Sequence, residues 1–142
     1  EIFIPDTYIS DIVERLKVYK RLDNMEEDIE VEKLKSELAD RFGRVPKQTS
    51  ELFEVVKLRR LAKKLAIEKL SLKRGKLTAC FISDQQSEFY SSELFGRLLH
   101  YVQCYPRLCA LQQSDDKLSL TIDQVGNVYS AVKIFQTIIQ QG

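Results

Sequence analysis

The chain of 142 residues has no tryptophan, one histidine, one methionine, three prolines, three cysteines and five glycines. Its glycines are scattered at 43, 75, 96, 126 and 142, so no phosphate-cradling loop of the Walker or dinucleotide kind can be built from them, and no nucleotide cofactor is expected. A single histidine, His100, with no nucleophile specified beside it reads as a surface or packing residue. Cys80, Cys104 and Cys109 are an odd set in a chain large enough to fold without bridges, which points to a reducing compartment and hence the cytoplasm. Together with His100 they are the one conceivable zinc quartet. Cys104 and Cys109 are spaced C-x4-C across a proline, but Cys80 and His100 would have to complete the site, and free thiols packed as small hydrophobes are the expectation, with no metal. The carboxylate pairs Asp115-Asp116 and Glu26-Glu27 fall at turn and helix-start positions and read as caps. No apolar run approaches the ~20 residues needed to cross a bilayer. Charge of one sign is also lacking: 22 basic against 21 acidic residues leave a net +1, which makes no global case for nucleic acid or an anionic membrane.

What is present is the raw material of a core. At 44% hydrophobic and 30% charged residues the composition is globular, and a chain near this length buries roughly two thirds of its unfolded surface. A single domain over 1–142 is expected, with a helical half at 1–66 and a mixed half at 67–142. The chain starts at Glu1, its only methionine is Met25, and Ile2-Phe3-Ile4 is too short for a signal-peptide core, so a piece of a longer protein is expected.

Helical periodicity comes first. Ile12, Val13, Leu16, Tyr19 and Leu22 predict a helix over about 10–22, capped by Ser10 or Thr7. A second begins in the acidic stretch Glu26 to Glu32, which suits the positive end of a helix dipole. It carries Val31, Leu34, Leu38 and Phe42 as its apolar line and stops at Gly43, which is free to turn left-handed. Pro46 then fits the first turn of a third helix packed through Leu52, Val55, Val56, Leu58, Ala62 and Leu65. From Ile67 the period becomes two: Leu70 and Leu72 alternate with polar residues, Arg74-Gly75 turns, and Leu77, Ala79 and Phe81 alternate again. After a polar loop at 83–88, a fourth helix starts at Ser91 or Ser92. A second hairpin crosses Ser114-Asp115-Asp116, and a closing helix runs from Val125. The fold class is α+β: three N-terminal helices packed with an antiparallel sheet in a β-β-α-β-β-α order.

Charge is uneven along this frame. Lys57 to Lys64 holds five bases and no acid. On a helix Lys57, Arg60 and Lys64 share a stripe, with Lys63 beside it, and such a stripe can contact phosphates. Aromatics that would stack on bases are not interleaved with it, so a solvated face that offsets the acidic start of the second helix is the preferred reading, and a nucleic-acid-contacting module is the alternative. The stretch "ELADRFGRVP" at 37–46 poses a separate question. With Val31, Leu34, Leu38 and Phe42 turned inward, Glu37, Asp40 and Arg41 fall on a neighbouring flank beside Lys33, where the core does not need them. Left to itself this flank would be solvated, with a weak Glu37–Arg41 pair one turn apart.

Four stretches, "IPDTYISD" at 4–11, "RLKVYKRL" at 15–22, "ELADRFGRVP" at 37–46 and "LRRLAKKLAI" at 58–67, together resemble the C-terminal domain of the bacterial transcription-repair coupling factors, the Mfd family. The resemblance covers about the first 70 residues, and Ala66 stands where the family pattern has glycine. It implies a non-catalytic regulatory domain, without cofactor, at the end of a large ATP-driven DNA translocase. Such a translocase acts on RNA polymerase stalled at DNA damage and recruits the excision-repair protein UvrA through an N-terminal module similar to UvrB. The domain is then expected to dock on that module within the same chain and mask its UvrA-binding surface. Glu37, Asp40 and Arg41 are the expected docking residues. No membrane and no direct nucleic-acid contact are implied for this domain, and UvrA and RNA polymerase would be reached only through the longer protein.

Overall fold

A computed structural model describes residues 3–141, so the two ends of the 1–142 span lie outside the described residues. The chain divides into two compact units, Glu1–Lys57 and Leu58–Gly142. The division falls inside the third helix, ahead of the 66/67 step at which the hydrophobic period changes.

The first unit is helical. α1 (Ile12–Asp23) is capped not by Ser10 or Thr7 but by Asp11, whose carboxylate accepts from the Val13 N–H at 2.9 Å. Its buried residues are Val18 and Leu22, while Ile12, Val13 and Leu16 are exposed. The expected packing line of this helix is therefore corrected: the apolar residues of the first turns face outward, and the core takes the other side. α2 (Asp28–Phe42) buries Val31, Leu34 and Leu38 as the periodicity requires. At its start the Glu30 carboxylate reaches back to accept from the Glu26 and Glu27 N–H groups at 2.7 and 3.1 Å, satisfying donors that a helix start leaves open. Phe42 is only half-buried, its ring 5.8 Å from that of Tyr8. α2 stops at Gly43, with φ +88° and ψ −167°. The positive φ is as expected, but ψ is extended rather than left-handed helical. The centre of this unit's core is filled by Phe53 from the third helix, together with Ile4, Ile9 and the buried face of α2. Thr49 is also fully buried, and its hydroxyl donates to the Phe3 carbonyl at 3.3 Å.

α3 (Lys47–Lys64) follows Pro46, and the turn after it carries Ala66 at φ +56°. The second unit begins within α3 and continues through β1 (Ile67–Lys73), β2 (Lys76–Phe81), a short 3-10 turn at Glu88–Ser91, α4 (Glu93–Cys104), β3 (Cys109–Ser114), β4 (Lys117–Ile122) and α5 (Val128–Gln141). Both hairpins form where turn chemistry placed them. Arg74 and Gly75 have φ +52° and +77°, and Asp115 turns the second hairpin with φ +57°. The four strands are antiparallel in the order β1-β2-β4-β3, with Ala79 opposite Leu120 and Leu77 opposite Ile122. One sheet face carries Leu77, Ala79, Phe81, Leu120 and Ile122. It shares a core with Leu58, Leu61 and Leu65 of α3, Leu98 of α4 and Val132, Phe135 and Ile138 of α5. The other face carries Thr78, Cys80, Ser119 and Thr121, the alternation of a sheet covered on one side.

The stretch expected as a plain loop at 83–88 leads directly into the 3-10 turn. There Phe89 and Tyr90 pack edge-on against Phe95 at 5.4 and 5.2 Å. α4 is capped by the Ser92 hydroxyl, and the N-terminal turn of α5 by the Asn127 side chain, which accepts from the Ser130 N–H at 2.9 Å.

Candidate functional site

The flank of α2 is exposed at Glu37, Asp40 and Arg41, as the register of its buried line dictates. The expected pair within α2 is replaced by two bridges to α1. Glu37 takes both guanidinium nitrogens of Arg21 at 2.6 and 2.9 Å, a forked geometry that fixes its rotamer. Hydrogen bonding from Arg21 holds the Glu37 carboxyl below its ordinary range and raises the Arg21 guanidinium in turn. Arg41 lies 3.5 Å from Glu14 of α1, and its guanidinium also covers the Phe42 ring at 4.7 Å. An intrahelical Glu37–Arg41 pair loses because each side chain finds an opposite charge across the helix pair, one of them in forked geometry. Among the described residues Asp40 makes no ion pair. The flank thus presents a carboxylate clamped ionised, a second carboxylate, and a guanidinium laid over an aromatic ring.

Just behind this flank Tyr8 ties α2's end to the N-terminal segment, its hydroxyl lying 2.8 Å from the Gly43 carbonyl and 3.1 Å from that of Leu38. Lys33, on the other side, lines a shallow groove of about 320 Å³ with Arg21, Asn24, Met25 and Glu30. The tyrosine carried no sequence signal beyond its place in the N-terminal stretch, since its partners are backbone carbonyls thirty or more residues away.

The basic stripe does not stay together. Lys57 is drawn into an acidic pocket of the first unit, bonded to Glu32 and 3.0 Å from Glu54, with its side chain only 12% exposed. Burial works against its charge, but the hydrogen bonds it donates to Glu32 and Glu54 outweigh that and raise the ammonium above its ordinary range. Lys63 and Lys64 are exposed and Arg60 is half-buried. The stripe is therefore corrected at Lys57, which answers the acidic start of α2 instead of facing outward.

Elsewhere, His100 is exposed on α4 with its Nε2 3.5 Å from the Cys104 sulfur. Cys109 is buried, and that burial raises its thiol above the ordinary value. Among the described residues no three His, Cys, Asp or Glu side chains converge as metal ligands, and no helix is long and apolar enough to cross a membrane. A cleft of about 290 Å³ in the second unit is walled by Tyr90, Phe95, Leu99, Leu111 and Leu118, with Asp116 at its rim.

Comparison with known proteins covers nearly the whole chain. Residues 1–92 match the family model described as "TRCF domain". The transcription-repair-coupling factor of Rickettsia bellii is 34% identical over 125 residues, 88% of this chain and 10% of that protein. That of Escherichia coli is 42% identical over 67 residues, 47% of this chain and 6% of that protein. That of Bacillus subtilis is 27% identical over 124 residues, 87% of this chain and 10% of that protein. A crystal structure of a C-terminal domain of transcription-repair coupling factor superposes with a TM-score of 0.77 at 22% identity, covering 98% of this chain and 87% of that one. The architecture is accordingly that of a known fold, and the chain spans about a tenth of the length of the R. bellii relative.

Proposed function

This chain belongs to the TRCF domain family, and from that membership we propose that it is the non-catalytic regulatory domain of a transcription-repair coupling translocase. It docks on the UvrB-like module of the same protein and masks that module's UvrA-binding surface until the enzyme engages stalled RNA polymerase. The observation that carries this reading is the α2 flank. Glu37, Asp40 and Arg41 project from the flank of the helix beside its buried line, and ion pairs to α1 orient Glu37 and Arg41. Preorganised charges lose little freedom on docking, which favours specificity, and exposed ion pairs are individually weak, which suits a contact that must open. A masking equilibrium works when its two states differ by a few kcal/mol, because a partner with differential affinity can then shift it.

The rival role, phosphate contact through Lys57, Arg60, Lys63 and Lys64, is weakened by the engagement of Lys57 with Glu32 and Glu54. It retains Lys63 and Lys64 as exposed cations.

The test is made in the full-length translocase. UvrA affinity is measured at one salt concentration for wild type, for Glu37→Lys/Asp40→Lys, and for a deletion of this domain. Docking predicts that the double reversal binds UvrA more tightly than wild type and approaches the deletion. Equal affinity in all three would overturn masking.

A further inference from the structure

We infer that the open face of the sheet contacts the phosphates of a nucleic-acid duplex through lysines on three of its strands. This surface belongs to the second unit and takes no part in the α2 flank.

The strand register decides which residues reach the face. Ser71, Thr78, Thr121 and Ala110 form one row across the four strands, and Lys69, Cys80, Ser119 and Gln112 form the next. Beyond the first row Lys73 and Lys76 stand directly opposite each other, and beyond the second Lys117 stands opposite Ser114. Of these positions four are lysines and none is acidic, and all four lysines are exposed. None is aromatic or a large aliphatic either, so the face offers nothing to the apolar centre of a protein interface. The neighbouring acids lie at its margins or behind it. Asp116 lines the cleft on the covered side, and the Glu68 charge acts on Tyr90 in that same cleft. Asp115 is in the turn beyond Lys117, and Asp123 follows β4 at the Lys76 end. Among the described residues none of the four lysines makes an ion pair.

Two further observations name the occupant. Charge is segregated between the two units: Leu58–Gly142 holds 12 basic and 7 acidic residues, whereas Glu1–Lys57 holds 10 and 14. A nearly neutral chain therefore conceals a net +5 in one unit and −4 in the other, and the basic excess that phosphate binding calls for is present in the unit that owns the sheet. The second observation is the Lys73–Lys76 pair, with Arg74 in the turn between them. Like charges directly opposite on a sheet repel, and a polyanion laid over them removes that cost. The dimensions also suit a duplex. At about 3.3 Å per residue Lys69 and Lys73 are about 13 Å apart along β1, on the scale of the ~12 Å major groove, so the two ends of the face can meet phosphates of both strands. The hydroxyls of Ser71, Thr78 and Thr121 lie between them as neutral donors to phosphate oxygens. A single strand is the weaker match because no ring is present to stack on its bases. An anionic bilayer is weaker too, since no apolar side chain follows the lysines into the headgroups.

The test follows the fluorescence anisotropy of a labelled 20-base-pair DNA duplex as the 142-residue chain is added. Four phosphate contacts give a slope of log affinity on log salt of about −3.6, roughly a hundredfold loss between 50 and 200 mM salt. Lys73→Glu/Lys76→Glu should weaken binding at least tenfold and make the slope shallower by about 2, whereas Lys73→Arg/Lys76→Arg should keep the wild-type affinity. Amide shifts on adding the duplex should map to Ser71, Thr78, Ser119 and Thr121, and this map decides the matter if the charge reversal fails to fold. No binding at 50 mM salt, a slope near zero, or unchanged affinity in the folded reversal would overturn the proposal. So would loss of binding in Lys63→Glu/Lys64→Glu alone, which would put the phosphates on α3. Tighter binding of a single-stranded 20-mer, of polyglutamate or of phosphatidylglycerol vesicles would overturn it as well, because each assigns the face to a different occupant.

Discussion

Replacement of Gly43 isolates a backbone cost from every side-chain effect. A Cβ built there meets no atom within 4 Å, so no clash contributes. The Gly43 N–H donates to the Ala39 carbonyl at 3.0 Å and its own carbonyl is 2.8 Å from the Tyr8 hydroxyl, so the peptide is pinned on both sides and cannot rotate away cheaply. At φ +88° and ψ −167° the residue lies in a region that L-residues other than glycine essentially do not occupy, at a strain of about 1–3 kcal/mol. Were the position left-handed helical instead, asparagine would be tolerated far better than alanine. The expected outcome is that Gly43→Ala and Gly43→Asn destabilise by similar amounts, each about 1–3 kcal/mol. D-alanine introduced at 43 by semisynthesis, for which the mirrored angles are ordinary extended backbone, should match or exceed wild type by about 0.4–1 kcal/mol. Urea unfolding followed by circular dichroism reads this as a shift in midpoint at unchanged slope. Asparagine restoring what alanine loses would refute the reasoning, as would both substitutions proving neutral.

Phe53→Ala should cost about 3–5 kcal/mol, because the ring is fully buried at the centre of the first unit, whereas half-buried Phe42→Ala should cost about 1–2; equal midpoints in urea would show the core misplaced. Ala66→Gly should stabilise by up to about 1 kcal/mol, since the strain of an L-residue at φ +56° exceeds the entropy glycine adds to the unfolded chain; a lower unfolding midpoint would contradict this. The Glu37 carboxyl is depressed in the folded state by its hydrogen bonds from Arg21, so its contribution to stability is complete above the ordinary carboxylate range and disappears as pH falls through the lower, folded value. Glu37→Gln should therefore flatten the acid limb of a stability–pH profile between pH 7 and 3 while leaving its neutral slope unchanged, and an identical acid limb would count against the Arg21 pair.

Local chemistry was legible wherever one residue type has one structural use. Gly43 and Arg74-Gly75 announced a stop and a turn because few other residues adopt positive φ, and the alternation through Leu77, Ala79 and Phe81 allowed only one inward face. The glycine that the family pattern placed at 66 marks a position whose φ is indeed positive, though alanine occupies it here. α1 was misread because periodicity identifies stripes without saying which one is covered. Ile12, Val13 and Leu16 form as regular a pattern as Val18 and Leu22, and only the packing of the rest of the unit chooses between them. The exposure of Glu37, Asp40 and Arg41 followed from the register of α2, but their partners on α1 did not, since an ion pair across helices depends on how two helices align. For Lys57 the same limit applied: its neighbours at Arg60 and Lys64 suggested a stripe, while its actual partners come from Glu32, twenty-five residues earlier, and Glu54 one turn back.

The two bridges between α1 and α2 also constrain how this sequence can change over time. Arg21 answers Glu37 near one end of the helix pair and Glu14 answers Arg41 near the other, with the signs in opposite order on the two helices where they meet. Sliding one helix along its neighbour by about a turn would bring like charges toward each other, so the pairs record an alignment as well as a contact. A substitution that inverts one member alone leaves two like charges facing, whereas inverting both members of a pair restores it. Positions 21 and 37 should accordingly drift as a linked couple, and 14 and 41 as another, with intermediates passing through neutral residues such as glutamine. Asp40, which answers to no residue on α1, is released from that bookkeeping, and whatever holds it fixed across descendants must come from outside the helix pair.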